Sequence, residues 1–225
     1  MTTHPLANEA AYDCWAASYP PLPHNPLMRA EQQLVVELWP EVRGLRALDL
    51  ASGTGRYGLL LQERGASDVV ACDLSGGMLE RSPLASRVRA NMMHLPFAVG
   101  SFDIVVAGLA VGHAPRLRDW LDEVARVLAP GGCLVYSDFH PDAAAAGMTR
   151  SFVDDQQRKH VLEHRRYQLS DHLAAAPLAG LEIEVWREAR VGRELREPFT
   201  GSVDFYRRRH DLAVVLAVRM RKLGG

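Results

Sequence analysis

The sequence predicts an α/β protein, a doubly wound and mostly parallel sheet with helices on both faces and a helical cap at the N-terminus. Three observations carry this. Strand-like and helix-like patterns alternate from Arg46 to Ser137, which implies parallel strands joined by crossover helices. A glycine-containing turn, Ala51 to Gly55, joins the first of those strands to the first of those helices, a junction suited to holding a ligand at the carboxyl end of a sheet. Near the end, Leu181 to Val191 and Leu212 to Met220 read as strands that need no helix between them, and they fit an antiparallel hairpin with a long connection.

The first forty residues form the cap. Leu6 to Ser18 carries Tyr12 and Trp15 at helical spacing, and Tyr19 just beyond. Pro20, Pro21, Pro23 and Pro26 forbid a continuous helix. Pro26 suits the first turn of a second helix running to Trp39, with Leu27, Leu34, Val35 and Leu38 on one face. Arg46 to Leu50 is a short buried strand, Arg56 to Arg64 a helix stopped by Gly65, and Asp68 to Cys72 a second strand ending at Asp73. Ser75 caps a short helix through Arg81. Ser86 to Asn91 is a third, weaker strand and Phe102 to Ala107 a fourth. Leu117 to Leu128 is the clearest helix, with Leu117, Trp120, Leu121, Val124, Val127 and Leu128 on one face. Pro130, Gly131 and Gly132 end it, and Cys133 to Ser137 is the fifth strand. Ser170 to Ala176 is a last helix. The segments 141–169 and 192–211 show no regular pattern and are expected to cover a site.

Composition narrows the function. The 225 residues are 48% hydrophobic and 24% charged with a net charge of −1, which is ordinary globular composition. No basic excess marks a nucleic-acid binder. Cys14, Cys72 and Cys133 are far apart, which supports neither a disulfide framework nor a zinc site. No signal-like N-terminus and no apolar run of spanning length is present. The expectation is one cytoplasmic domain over 1–225, a monomer or homodimer, with a cap at 1–40 and a ligand-binding core at 45–140.

The chemistry centres on Ala47-Leu-Asp-Leu-Ala-Ser-Gly-Thr-Gly-Arg-Tyr-Gly58. Glycines after a strand let the backbone approach a ligand closely. Asp73 follows about twenty residues on, where a carboxylate accepts hydrogen bonds from ribose hydroxyls. Gly53, Gly55 and Gly58 also spell the G-x-G-x-x-G of dinucleotide-binding proteins. Against that reading, Asp49 at the end of the first strand suits a cationic ligand such as S-adenosylmethionine better than a pyrophosphate. A dehydrogenase also adds a second domain for which this chain has no room.

These residues resemble the class I S-adenosylmethionine-dependent methyltransferases, in their small-molecule branch. Asp49-Leu-Ala-Ser-Gly-Thr-Gly is similar to that family's D-x-G-x-G-x-G, and Asp73-Leu-Ser-x-x-Met to its ribose-binding acid and following turn. Asn91-Met-Met-His-Leu-Pro-Phe, Ser101-Phe-Asp103, Pro130-Gly-Gly and the aromatic Tyr12-Asp-Cys-Trp-Ala-Ala-Ser-Tyr19 also match. The resemblance implies a seven-stranded sheet with its last strand antiparallel, and S-adenosylmethionine as cofactor with S-adenosylhomocysteine as product. It implies a cofactor site built from Asp49, Ala51, Ser52, Gly53, Gly55, Asp73, Leu74, Met78, Asn91, Met92, Ala107 and Tyr19. Two positions depart from the family. Ala51 stands where the first glycine is usual, which narrows the site beside the methionine moiety. Asn91 stands where many members have Asp, and it can still accept through its carbonyl oxygen.

Individual residues keep two readings each. Asp49 faces the cofactor or caps a helix. His113, after the fourth strand, is a general base or only shapes the pocket. His140, after the fifth strand, is a second candidate base. With Asp138 and Asp142 it also offers metal-type ligands, but nothing completes a set and no metal is expected. Tyr12, Trp15 and His24 line the acceptor pocket or pack a terminal helix. Arg29 pairs with the methionine carboxylate or lies on the surface. The basic runs Arg158-Lys-His160, His164-Arg-Arg166 and Arg207-Arg-Arg-His210 read as solvated faces. The expected activity is methyl transfer to a small molecule by in-line displacement, without nucleic-acid or membrane partners. The alternatives are an RNA or protein methyltransferase, an NAD-linked oxidoreductase and a noncatalytic cofactor-binding subunit.

Overall fold

The computed structural model describes residues 8–154, 158–192 and 207–224. Helix α1 (Asn8–Trp15) and a 3-10 turn (Ala16–Ser18) precede α2 (Pro26–Glu37). Asn25 caps α2, its side-chain oxygen accepting from Met28 N at 2.9 Å, with Pro26 at the first helical position. The core then runs β1 (Arg46–Leu50), α3 (Arg56–Glu63), β2 (Asp68–Asp73), α4 (Gly76–Arg81), β3 (Ser86–Arg89), β4 (Phe102–Ala107), α5 (Leu117–Val127) and β5 (Leu128–Phe139). After it come α6 (Pro141–Ala145), β6 (Ser151–Val153), β7 (Lys159–Val161), α7 (Leu169–Leu178), β8 (Leu181–Arg190) and β9 (Ala213–Lys222).

Seven strands form one sheet in the order β3-β2-β1-β4-β5-β9-β8. β1 to β5 pair in parallel, while β9 is antiparallel to both β5 and β8. The alternation of strand side chains splits the core in two. Leu48, Leu50, Val105 and Tyr136 pack with α5 and α7 on one face. Ala47, Val69, Ile104 and Val135 pack with α2 and α3 on the other. The expected last-strand hairpin is present as β8–β9, with residues 193–206 of its connection outside the described residues.

Two expectations need correction. β5 starts at Leu128, five residues before the predicted Cys133. Pro130-Gly131-Gly132 does not separate helix from strand. It lies within β5, where the register jumps from Phe102↔Leu128 to Ile104↔Cys133, so the extra residues are accommodated as a bulge. The segment 141–169 is not irregular either. It folds into α6 and an antiparallel hairpin, β6–β7. That hairpin packs on α1 through Phe152 and Leu162 against Ala11, Tyr12 and Trp15, with the Phe152 and Trp15 rings stacked at 4.6 Å. Together they form a roof over the carboxyl end of the sheet.

The turn after β1 carries strain. Gly55 caps α3 with φ 90°, a left-handed conformation that glycine adopts freely. A Cβ built there would also stand 2.5 Å from Ser82 Oγ. Ala51, however, holds φ 53° without glycine's freedom. Ala51→Gly is therefore expected to raise the unfolding free energy by about 1 kcal/mol, measured by urea denaturation. A loss of stability would show that the alanine methyl packs usefully.

Under α7, Tyr136 Oη lies 2.7 Å from His172 Nδ1, and His172 Nε2 is buried without a partner among the described residues. Burial pushes the His172 pKa down from 6.5 to about 4. The folded protein thus keeps this ring neutral while the unfolded chain protonates it below its ordinary pKa. The stability this provides is intact above pH 6.5 and is lost as pH falls toward 4. Between pH 7 and 4.5 the unfolding free energies of wild type and His172→Gln should shift relative to each other by about 2 kcal/mol, against wild type. A pH-independent difference between the two would refute this cause.

Candidate active site

Parallel strands that end together leave a crevice where the strand order reverses, here between β1 and β4. A cavity of about 240 Å³ occupies it, walled by the β1 and β2 ends, the Ala90–Met93 segment, Gly108 to Ala110, and Tyr12, Tyr19 and Arg150 above.

The two acids sit as the glycine turn dictates. Asp73 Oδ2 accepts from Gly53 N at 2.7 Å and Oδ1 from Ser75 N at 2.8 Å, so the tip of β2 ties down the turn after β1. Burial raises the Asp73 pKa against the lowering effect of these amides. Asp49 Oδ2 accepts from Gly58 N at 2.7 Å in the first turn of α3, which is the capping geometry, while Asp49 also lines the cavity. Its burial pushes the carboxyl up to about 8.

The wall of the turn suits a ligand. A Cβ built on Gly53 would stand inside the cavity, 3.9 Å from Tyr19 Cε1 and 4.0 Å from Met78 Sδ. Ser52 Oγ is buried without a hydrogen-bond partner among the described residues, on the cavity wall. A buried hydroxyl in want of a partner, an open glycine face and a carboxylate at the strand tip together fit a nucleoside with a polar tail. Ala51, Leu74, Asn91 and Met92 also line the cavity, and Asn91 Oδ1 accepts from Met93 N at 2.9 Å.

Other predicted residues lie elsewhere. Gly55 and Ala107 do not line the cavity, and Gly108 does, because Gly55 caps a helix and Ala107 is fully buried in the sheet. Arg29 is exposed on α2 and absent from the wall. The cation beside the turn is Arg56, whose Nη2 lies 2.7 Å from Glu31 Oε2. His140 is not in the cavity. It caps α6, Nδ1 accepting from Asp142 N at 3.1 Å, with Nε2 3.3 Å from Glu188 Oε1. Asp138 pairs with His164 at 2.8 Å, so Asp138, His140 and Asp142 do not converge. Among the described residues the group with metal-type spacing is instead Cys14, Asp154 and His160, and Asp154 is bonded to Arg158 and His160 at 2.8 Å each. Trp15 and His24 stay outside the cavity. They pack edge-on at 6.2 Å, and each meets Tyr19 edge-on.

His113 does reach the cavity. Arg150 Nη1, which can only donate, lies 3.1 Å from Nε2, and Tyr12 Oη lies 2.9 Å from it. Nε2 therefore carries the lone pair, and Nδ1–H donates to Glu163 O at 3.0 Å, a carbonyl it shares with Asn8 Nδ2, which lies 2.9 Å from Nδ1. Burial, then Arg150 and His164, push the His113 pKa down to about 3. The ring is neutral, and its lone pair is engaged by two donors. Sequence reasoning missed Arg56, Arg150 and Leu109. Arg56 stood in the quoted turn, whereas Arg150 lay in a segment without pattern.

Residues 48–136 match a family described as a methyltransferase domain. This stretch of the core is thus similar to a methyltransferase domain, and the sheet has the fold of the class I methyltransferases. The chain is 44% identical over 105 residues to a demethylmenaquinone methyltransferase of Clavibacter sepedonicus, a match covering 44% of this chain and 42% of that protein. It is 36% identical over 120 residues to the demethylmenaquinone methyltransferase of Thermus thermophilus, covering 49% and 54%. The chain thus spans about half the length of the curated relatives it matches. Among solved structures, an S-adenosylmethionine-dependent methyltransferase from Mesorhizobium loti superposes with a TM-score of 0.68 at 27% identity, over 85% of this chain and 97% of that one. A geranyl diphosphate C-methyltransferase from Streptomyces coelicolor, solved with S-adenosyl-L-homocysteine, shares the fold with a TM-score of 0.68 at 15% identity, over 88% and 80%.

Proposed function

We propose that the protein transfers a methyl group from S-adenosylmethionine to a small-molecule acceptor. The observation that carries this reading is the joint between Asp73 and Gly53, with the orphan Ser52 hydroxyl beside it in a roofed cavity. Asp73 would receive the ribose hydroxyls, Ser52 and the Gly53 face would take the polar tail, and Arg56 would meet its carboxylate. Met78, Met92 and Met93 give the adenine apolar contact. When bound, the cofactor supplies a sulfonium methyl whose leaving group is already activated by charge. The protein then has to align the acceptor and exclude water, which the roof of α1 and β6–β7 does. Asp49 serves the architecture of the turn.

We read the acceptor as a small molecule, the class to which the quinones named for the relatives belong, because the cavity is roofed. The near-zero net charge gives a nucleic-acid partner no support, and no described helix is long and apolar enough to cross a membrane. On this reading residues 1–225 work as one cytoplasmic domain, as a monomer or homodimer. Calorimetric titration with S-adenosylhomocysteine and with NADH tests it. Micromolar binding of the first and none of the second is expected. The reverse result would overturn it in favour of an oxidoreductase.

A further inference from the structure

We infer that the acceptor presents an ionised oxygen (a carboxylate, phenolate or enolate) to Arg150. The inference deepens the proposed function and rests on it. Arg150 reaches into the cavity from the roof segment just before β6. Its Nη1 donates to Leu109 O and His113 Nε2, and its Nη2 lies 3.2 Å from Tyr12 Oη. All three partners are neutral. Among the described residues, no carboxylate stands within ion-pair distance of it.

The carboxylates around the cavity are committed elsewhere. Asp49 and Asp73 hold backbone amides. Glu9 pairs with Arg89 at 2.6 Å, and Asp138 pairs with His164. Arg56 makes the contrast, being held by Glu31. A guanidinium half-withdrawn from water among neutral acceptors carries an uncompensated desolvation cost, which an anionic ligand offsets. Its planar fork matches oxyanions.

Position separates the roles of the two arginines. Arg56 opens α3 directly after the glycine turn and neighbours Tyr19 on the cofactor side. Arg150 sits over the end of β4, braced by the Leu109 carbonyl, whose residue holds a left-handed φ of 53°. By position alone the cofactor's carboxylate falls to Arg56, whose Nη1 is met by the neutral Gln32 at 3.3 Å while Nη2 is held by Glu31, and Arg150 is left for the second reactant. The proton inventory agrees. His113 Nε2 already receives two donors, and Tyr12 is a phenol kept protonated by burial. The acceptor oxygen must arrive ionised and be held so.

The test uses the full-length protein saturated with S-adenosylhomocysteine. Matched acid and amide pairs are titrated calorimetrically: benzoate and benzamide, salicylate and salicylamide, 2-naphthoate and 2-naphthamide. At least one acid should bind ten-fold or more tighter than its amide. Arg150→Gln should erase that preference and Arg150→Lys retain part of it, with the affinity for S-adenosylhomocysteine changed less than three-fold. The wild-type preference needs no variant to fold. If no pair favours the acid, the inference falls. If Arg150→Gln instead weakens S-adenosylhomocysteine ten-fold, Arg150 serves the cofactor carboxylate and the inference also falls. If wild type fails to bind S-adenosylhomocysteine at all, the proposed function fails first, at a separate readout.

Discussion

Asp73→Ala is expected to lower the affinity for S-adenosylhomocysteine about 100-fold, measured by calorimetry. Each Asp73 oxygen already accepts one backbone amide, from Gly53 and from Ser75. A carboxylate oxygen has room for a second donor, so both ribose hydroxyls can be received at once. Hydrogen bonds to a charged group contribute about 1.5–3 kcal/mol each, and two of them account for a loss of two decades. Asp73→Asn keeps one acceptor oxygen and should fall in between. The alanine variant also releases Gly53 N–H, so its melting temperature must be read alongside. A change in affinity below five-fold in a folded variant would remove Asp73 from the binding site.

Glu31→Ala is expected to destabilise the protein by about 3–5 kcal/mol in urea denaturation. Glu31 is fully buried on α2. It accepts from Arg56 Nη2 at 2.7 Å, Tyr57 Oη at 2.6 Å and Ser137 Oγ at 2.5 Å. One carboxylate thereby joins the N-terminal cap to α3 and β5. Removing it leaves a buried guanidinium whose one remaining hydrogen-bond acceptor among the described residues is Gln32 Oε1 at 3.3 Å. Glu31→Leu combined with Arg56→Met should restore most of the loss, because an apolar pair of similar volume avoids the unpaired charge. A cost below 1 kcal/mol for Glu31→Ala would show that water reaches Arg56 and that the pair is not structural.

The sheet was legible because its strands are short apolar runs with unambiguous ends. β1 and β4 fall on the predicted residues, Arg46–Leu50 and Phe102–Ala107. β5 was misjudged because Pro130-Gly131-Gly132 carries a stop signal that a bulge absorbs. The roof was illegible for a different reason. β6 and β7 are three residues each and owe their position to rings contributed by α1, a contact that no local pattern encodes. The same cause hid Arg150. His140 was a readable error: a polar residue followed by Pro141 and Asp142 is a helix start, and its ring caps α6. The position of Asp49 and Asp73 on the cavity wall was legible because strand, turn and helix follow one another within a few residues. The roof residues over the cavity come together only through tertiary packing.

The roof also sets an order of events during synthesis. The core pairs β1 with β2, β2 with β3 and β4 with β5 as successive strands of the chain, and β1 with β4 at a longer but still moderate separation. The contacts that close the cavity are far longer in range. Tyr12 meets His113 across 101 residues, and Asn8 meets the Glu163 carbonyl across 155. Contacts of such separation carry the largest loop-closure entropy and form late. A nascent chain that ends before Ser151 already carries Asp73 and the glycine turn but lacks the hairpin that encloses them. The junction of Asp73 with the glycine turn therefore forms before the cavity beside it is enclosed. The chamber comes into being only when a segment made earlier, α1, is covered by one made much later.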